Sequence, residues 1–193
     1  MTSPAEARVR FEIALADRPK PLRRHTRRVI DGALRLAQIH ELDPEVCAAA
    51  AAGHDLFRHL EPDDILERSR ARGLTITDAD LAAPIVLHGP LAAHFAAHEL
   101  RVDHDDILSA IHYHTTAHPD LSEEALAVFL ADKVDPNKVR RDPGLAAVAA
   151  AAERDLYAAT TLFLERRLSQ QLASGQQLHP LAVEARNAFL QRA

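Results

Sequence analysis

The sequence predicts an all-α fold, a single-domain helical bundle, and three observations carry that expectation. Alanine and leucine dominate a chain of 193 residues that contains only six glycines. Aromatic and β-branched residues nowhere build the alternating run that a half-buried strand requires. Proline and glycine punctuate the chain at Pro19 and Pro21, Pro44, Pro62, Gly73, Pro84, Gly89 with Pro90, Pro119, Pro136, Pro143 with Gly144, Gly175 and Pro180, and the intervals suit helices of roughly eight to twenty residues. In chain order the pattern gives helices at 4–17, 22–39, 44–57, 62–71, 78–87, 90–100, 104–115, 122–133, 144–174 and 181–191. Asp43 precedes Pro44 as a cap before a first-turn proline, and Ser122 precedes the acidic first turn of Glu123 and Glu124. The alanine-rich stretch 144–174 reads as one long helix that braces the bundle. Without internal repeats or a Ser/Gly-rich linker, residues 1–193 are expected to form one domain.

Composition closes off several function classes. With 47% apolar and 26% charged residues the chain is an ordinary globular mixture. Its longest apolar stretches run under about ten residues and fall short of the ~18 that a membrane span needs. Glu6, Arg8 and Arg10 near the start, with no apolar segment behind them, are unlike a secretory leader, so the cytoplasm is the expected compartment. Cys47 stands alone, which excludes an intrachain disulfide and an all-thiolate metal site. Any metal must sit on nitrogen and oxygen. The net charge of −5 argues against a nucleic-acid-coating protein. Twelve histidines are the outlier.

Those histidines fall in a series. His25 lies on the inward stripe of the second helix with Leu22, Val29, Gly32, Ala33 and Leu36, while Lys20, Arg23, Arg24, Arg27 and Arg28 share the adjacent face. Taken alone, His25 reads more readily as a core histidine bonded to a carbonyl, and the arginines as a solvated face. His54 and Asp55 end an alanine-rich helix, and a carboxylate beside an imidazole offers the donor pair that Fe, Mn, Zn or Co sites use. His88 ends the apolar run Ala82 to Leu87, ahead of Gly89 and Pro90. Of His112 and His114, two residues apart and therefore on nearly opposite helix faces, His114 shares the apolar face of Ile107, Ala110 and Ile111. Asp132 interrupts the apolar run Phe129 to Val134 and needs a cation; Lys133 points about 100° away, so a metal or a distant arginine is the better partner. His94 and His98, at i and i+4, have a zinc-chelating spacing but read as a solvated face. His40, His59, His104, His112 and His179 read as surface or capping residues.

The ordered set His25, His54–Asp55, His88, His114, Asp132 resembles the H…HD…H…H…D pattern of HD-domain metal-dependent phosphohydrolases. The stretches HDLFR, LHG, AIHYHTT and FLADKVDPNK, with LHP at 178–180, resemble more closely the bacterial YqeK family of symmetrical diadenosine tetraphosphate hydrolases, over about Arg23 to Asn187. The resemblance implies an HD-type helical bundle with a metal-binding core at about 22–138 and C-terminal helices at 144–193 bracing it. It implies two metal ions, His25, His54, Asp55 and Asp132 holding one, His88, His114 and the bridging Asp55 the other. A hydroxide held by Asp55 and the two metals would attack phosphorus and split a dinucleoside polyphosphate into two ADP. It also implies iron, although Mn, Co and Zn suit the same donors.

Substrate contacts implied by the family are Arg58, Thr115, His118, Lys133 and Lys138, and here the chain departs from the pattern. Arg58 replaces a lysine, Thr116-Ala117-His118 replaces Thr-Gly-basic, and Pro136-Asn137-Lys138, followed by Arg140 and Arg141, replaces Pro-x-Arg. The arginines of the second helix are expected to face the pocket mouth and draw in a polyanion. Two other functions fit the residues: a related HD phosphohydrolase acting on nucleoside mono- or diphosphates, and a non-catalytic nucleotide- or RNA-binding module. The sequence leaves open whether the chain is a monomer or a homodimer, since an alanine-rich outer helix can brace its own bundle or pair with another.

Overall fold

A computed structural model describes residues 2–192. Met1 and Ala193, the two ends of the expected domain, lie outside the described residues. Among those described, the chain is all-α: α1 (Pro4–Ala16), α2 (Lys20–Ile39), α3 (Pro44–Gly53), α4 (Pro62–Ala71), α5 (Asp78–Ala82), a 3-10 turn (Pro84–Leu87), α6 (His88–His98), α7 (Asp105–Tyr113), α8 (Glu123–Lys133), α9 (Pro136–Arg141), α10 (Leu145–Ala152), α11 (Leu156–Ala173) and α12 (Pro180–Phe189).

The bundle is organised around α3. Every residue from Val46 to Gly53 is buried, and α1, α2, α6, α7 and α8 all pack against it. A helix buried all round needs an apolar surface all round, and its alanines keep that surface thin. Neighbouring helices therefore approach closely, and the residues that follow α3, His54 and Asp55, emerge at the centre of the molecule, both buried. α8 is the second central helix, buried from Ala125 to Asp132, and it packs on α2, α3, α7, α10 and α11. α12 packs on α11 and closes the C-terminal side.

Local signals set the ends. Asp43 accepts from the backbone N–H of Glu45 and Val46, and Ser122 from that of Ala125, as the sequence suggests. Beyond shifts of one or two residues at other helix ends, the elements depart from the expected ones in four places. The stretch 44–57 ends its helix at Gly53. The stretch 78–87 divides, because Ala83 stands before Pro84 and is driven out of helical geometry, to φ −142° and ψ 69°. His88 consequently opens α6 and does not end a helix. The stretch 144–174 divides at Asp155, whose extended backbone and side chain accepting from Ala158 N–H start α11 afresh. A short helix, α9, appears where none was expected; Asp135 caps it and Pro136 opens it.

Cys47 is fully buried, and burial, with Glu124 and Asp43 nearby, pushes its thiol up to about 12. Because the thiolate is the reactive species, the folded protein should resist a thiol reagent at pH 8. Labelling should become complete in denaturant. Rapid modification of the native protein to one equivalent would contradict this packing.

Candidate metal centre

Four imidazoles converge beside Asp55, and three of them are oriented in the same way. His54 Nδ1 donates to Ala51 O at 2.7 Å, His88 Nδ1 to Ile85 O at 2.5 Å and His114 Nδ1 to Ile111 O at 2.8 Å. A carbonyl oxygen only accepts, so each Nδ1 carries the proton and the neutral ring presents a bare Nε2. His25 differs in having a carboxylate at each ring nitrogen: Nδ1 faces Asp135 Oδ2 at 2.7 Å and Nε2 faces Asp132 Oδ1 at 3.0 Å. Three of the four anchors lie three residues before the histidine they orient, so the turns that end α3, the 3-10 segment and α7 aim the rings.

The Nε2 atoms meet at the centre. His88 Nε2 and His114 Nε2 stand 2.9 Å apart. His54 Nε2 is buried without a hydrogen bond; Asp55 Oδ2 is 3.4 Å away, near enough for attraction but out of line for a hydrogen bond. Asp55 divides its oxygens between two groups. Oδ2 faces His25 Nε2 at 3.5 Å and His54 Nε2, while Oδ1 faces His88 Nε2 at 3.0 Å and His114 Nε2 at 3.4 Å. The donor atoms of His25, His54 and Asp55 lie within 4.8 Å of one another, as do those of Asp55, His88 and His114. Facing lone pairs, an orphaned buried nitrogen and a shared carboxylate are unfavourable together unless a cation sits among them. This donor set fits metal ions.

Electrostatics reflect the crowding. Burial would raise the Asp55 carboxyl, but His54, His114 and His88 hold it well below the usual carboxylate range. Burial lowers His114 to about 3, with His88 and His54 adding to the effect. Burial also opposes a proton on His54, yet Asp55 and Asp132 outweigh it and raise that pKa.

Asp132 reaches the first group from α8, with Oδ1 3.0 Å from His25 Nε2 and 4.0 Å from His54 Nε2. Its partners differ from those expected. Lys133 Nζ donates to Oδ2 at 2.8 Å and to His114 O at 2.8 Å, and Lys138 Nζ donates to Oδ1 at 2.5 Å. The lysine stem is long enough to fold back past a Cα that points elsewhere, which a count of helix angles misses. Burial would raise Asp132, and Lys133, His25 and Lys138 keep it well below its ordinary range.

The other expected contacts are scattered. Arg58 is exposed, with its backbone N–H on Asp55 O at 2.9 Å. Thr115 Oγ1 donates to Val86 O at 3.4 Å. His118 lies against the Tyr113 ring, centroids 4.5 Å apart, and its Nδ1 accepts from Asp120 N–H. Ala117, in the place of the family's glycine, adopts φ 63°. The loop thus keeps a left-handed turn at a cost of roughly 1–2 kcal/mol. The arginine face splits. Arg28 clasps Asp135 through Nε and Nη2, at 3.0 and 2.8 Å, whereas Lys20, Arg23, Arg24 and Arg27 line a groove against α1. None of that groove's lining residues belongs to the histidine cluster.

Asp135 is the residue that sequence reasoning passed over. It is 2% exposed; burial would raise its carboxyl, but hydrogen bonds from Arg28, Asn137 N–H and His25 hold it at about 2. A carboxylate behind a metal-facing histidine fixes its tautomer and raises its basicity. Its signal was present as the Asp-Pro cap of α9, a helix the sequence reading lacked. Asp135→Asn should weaken metal retention by roughly 10- to 100-fold, measured by competition with a chelator; unchanged retention would remove Asp135 from the site. Of the remaining histidines, His40 Nε2 donates to Ala152 O at 2.7 Å and His179 caps α12. His94 and His98 rings stack at 4.1 Å and belong to neither donor group. His112, expected at the surface, is half-buried beside a cavity.

The HD domain profile matches residues 22–137, which runs from α2 through Asp132 to the start of α9. The chain belongs to the HD domain family. Relatives of this HD domain protein include the symmetrical bis(5'-nucleosyl)-tetraphosphatase of Halalkalibacterium halodurans, 29% identical over 86% of this chain and 87% of that one. The protein of the same description from Bacillus subtilis is 31% identical over 68% and 69%. A crystal structure of a predicted HD superfamily hydrolase involved in NAD metabolism from Clostridium acetobutylicum superimposes over the whole of both chains, with a TM-score of 0.85 and 28% identity. The HD domain fold and the metal-capable His/Asp groups thus agree with the all-α, metal-dependent reading of the sequence.

Proposed function

We propose that this HD domain protein hydrolyses diadenosine tetraphosphate symmetrically into two ADP. The observation that carries the reading is the division of the Asp55 oxygens between two groups of bare imidazole nitrogens, in a chain whose relatives bear the description of symmetrical tetraphosphatases. His25, His54, Asp55 and Asp132 would hold one metal ion, and His88, His114 and Asp55 a second. Iron is the metal this reading favours, with Mn, Co and Zn suited to the same donors. When bound, such ions neutralise charge on a phosphoryl group and make water a nucleophile at neutral pH.

The chain's own groups do the rest. Lys133 and Lys138 hold Asp132 in place before substrate arrives, and Lys138, more exposed than Lys133, is free to turn from Asp132 to a phosphate oxygen. Arg58, exposed just after the HD pair, offers a bidentate grip on the phosphate chain. Water adds to one of the two inner phosphorus atoms, the central P–O–P bond breaks, and the leaving oxygen departs with the second ADP. Among the described residues no helix is long and apolar enough to cross a membrane, and a cytoplasmic location is part of this reading.

Chromatography of products from anaerobically iron-loaded protein tests the proposal. ADP alone is expected from diadenosine tetraphosphate. ATP with AMP, or faster turnover of nucleoside mono- or diphosphates in a panel, would replace it.

A further inference from the structure

We propose that the groove between α1 and α2 binds a chain of at least three contiguous phosphates, at a site apart from the metal centre. The groove has a volume of about 560 Å³, within the range of small-molecule sites. Its cations are Arg8, Lys20, Arg23, Arg24 and Arg27, and its carboxylates are Glu12 and Asp31. Arg8 and Glu12 bond each other at 3.0 Å. The side chains of Lys20, Arg23, Arg24 and Arg27 are exposed and make no hydrogen bond or ion pair among the described residues. A chain of net charge −5 thus gathers four uncommitted cations along one wall of one groove.

That arrangement is costly without a ligand. The four cations stand at i, i+3, i+4 and i+7, where like charges on a helix repel. They also fall early in α2, whose first turn holds no acidic residue, although the start of a helix favours negative charge. Asp31, one turn beyond Arg27, offsets one charge only. Packing does not require them either, since the residues that α2 buries are Thr26, Val29, Ala33, Leu36 and Ala37. Local rules broken together with no structural gain mark a functional surface.

Shape and chemistry select the ligand. Lys20 and Arg27 are separated by about 10 Å along the helix axis, and phosphates joined by single bridging oxygens bring three or four charges into that length. Guanidinium forks grip phosphate oxygens in pairs. A nucleic acid backbone spaces its charges a whole nucleotide apart, and no aromatic side chain lines the groove to stack a base. A lipid surface fits poorly as well, because the cations line a concave wall and the exposed apolar residues of α1, Val9 and Ile13, stand outside it. The shared chemistry is thus a phosphoanhydride chain, either free polyphosphate or the tail of a nucleoside triphosphate.

The double variant Arg23→Ala/Arg27→Ala tests the groove through a crossing of stabilities. Without ligand, at low salt, it should melt at or above the wild-type Tm, because it loses repulsion and no contact. With tripolyphosphate at about 100 times its Kd, the Tm of the metal-loaded wild type should exceed that of the variant by about 5 °C or more. Calorimetry should find one equivalent more tripolyphosphate in the wild type than in the variant, whatever the metal centre itself binds. The affinity of that equivalent should fall as salt rises. ATP run beside tripolyphosphate identifies the source: tighter ATP assigns the tail of a nucleoside triphosphate, and equal or weaker ATP a free polyphosphate. Equal stoichiometry in the two proteins, or a variant less stable than the wild type without ligand, would overturn the site. Tighter capture of a short single-stranded RNA, lost in the same variant, would replace it with a nucleic acid contact. The groove and the donor groups share no residue, so the variant should keep the wild-type kcat on diadenosine tetraphosphate. A wild-type protein that leaves this dinucleotide intact would overturn the proposed hydrolysis and leave the groove standing.

Discussion

If two ions are held as proposed, Asp55→Ala is expected to empty both positions at once, whereas His88→Ala should empty only one. The asymmetry follows from the two carboxylate oxygens, which serve different pairs of imidazoles at 3.0 to 3.5 Å. Without the carboxylate, four imidazole nitrogens remain near one another with only Asp132, on the side of His25 and His54, to offset a cation. Stabilisation of a transferring phosphoryl group by metal is worth several kcal/mol, so activity should fall by roughly 10³-fold or more. Helical content should persist, because Asp55 follows α3 and the apolar core of α3, α7 and α8 does not depend on it. Elemental analysis beside circular dichroism reads both quantities. A folded Asp55→Ala protein with wild-type metal content would refute the bridging arrangement.

Much of this site is legible in the sequence because its determinants are local. Whether His25, His54, His88 and His114 point inward depends on helical spacing and on breaks at Gly53 and Pro84, and these are visible as residue types. Each anchoring carbonyl lies within one turn of its histidine, so the geometry follows once the turn is known. What escapes is non-local. Asp135 meets His25 across 110 positions of chain, and nothing in either neighbourhood announces the pairing. Lys133 and Asp132 show the reverse failure, since angular reasoning about Cα positions neglects the reach of a four-carbon stem. The division of 144–174 was written in the sequence as Asp155, a cap residue among alanines, but a strong helical composition on either side hid it. The arginine face was rightly grouped by spacing, yet spacing is silent on which neighbour covers it, and only Arg28 turns to the cluster's support.

Gly89→Ala should cost both stability and metal. A Cβ at position 89 would stand 2.6 Å from His112 O, 3.0 Å from Ile111 O and 3.2 Å from His114 Nδ1. The first two are backbone atoms at the end of α7, and they cannot swing aside as a side chain would. Relief therefore requires α6 and α7 to separate, and the displaced carbonyl of Ile111 is the one that holds His114 Nδ1 at 2.8 Å. Overpacking of this kind costs about 1–3 kcal/mol, which for a domain of this size lowers Tm by about 2–4 °C for each kcal/mol. Loss of the anchor should weaken metal retention by roughly 10- to 100-fold as well. Gly175→Ala separates the two effects. Gly175 also resists a side chain, through a φ of 65°, but nothing lies within 4 Å of its Cβ position, so that substitution should lower Tm through backbone strain and leave metal binding at the wild-type level. Were Gly89→Ala to lower Tm while keeping the wild-type metal affinity, the close approach of α6 to α7 would be a packing feature alone, and the carbonyl anchor of His114 would not govern how its Nε2 is presented.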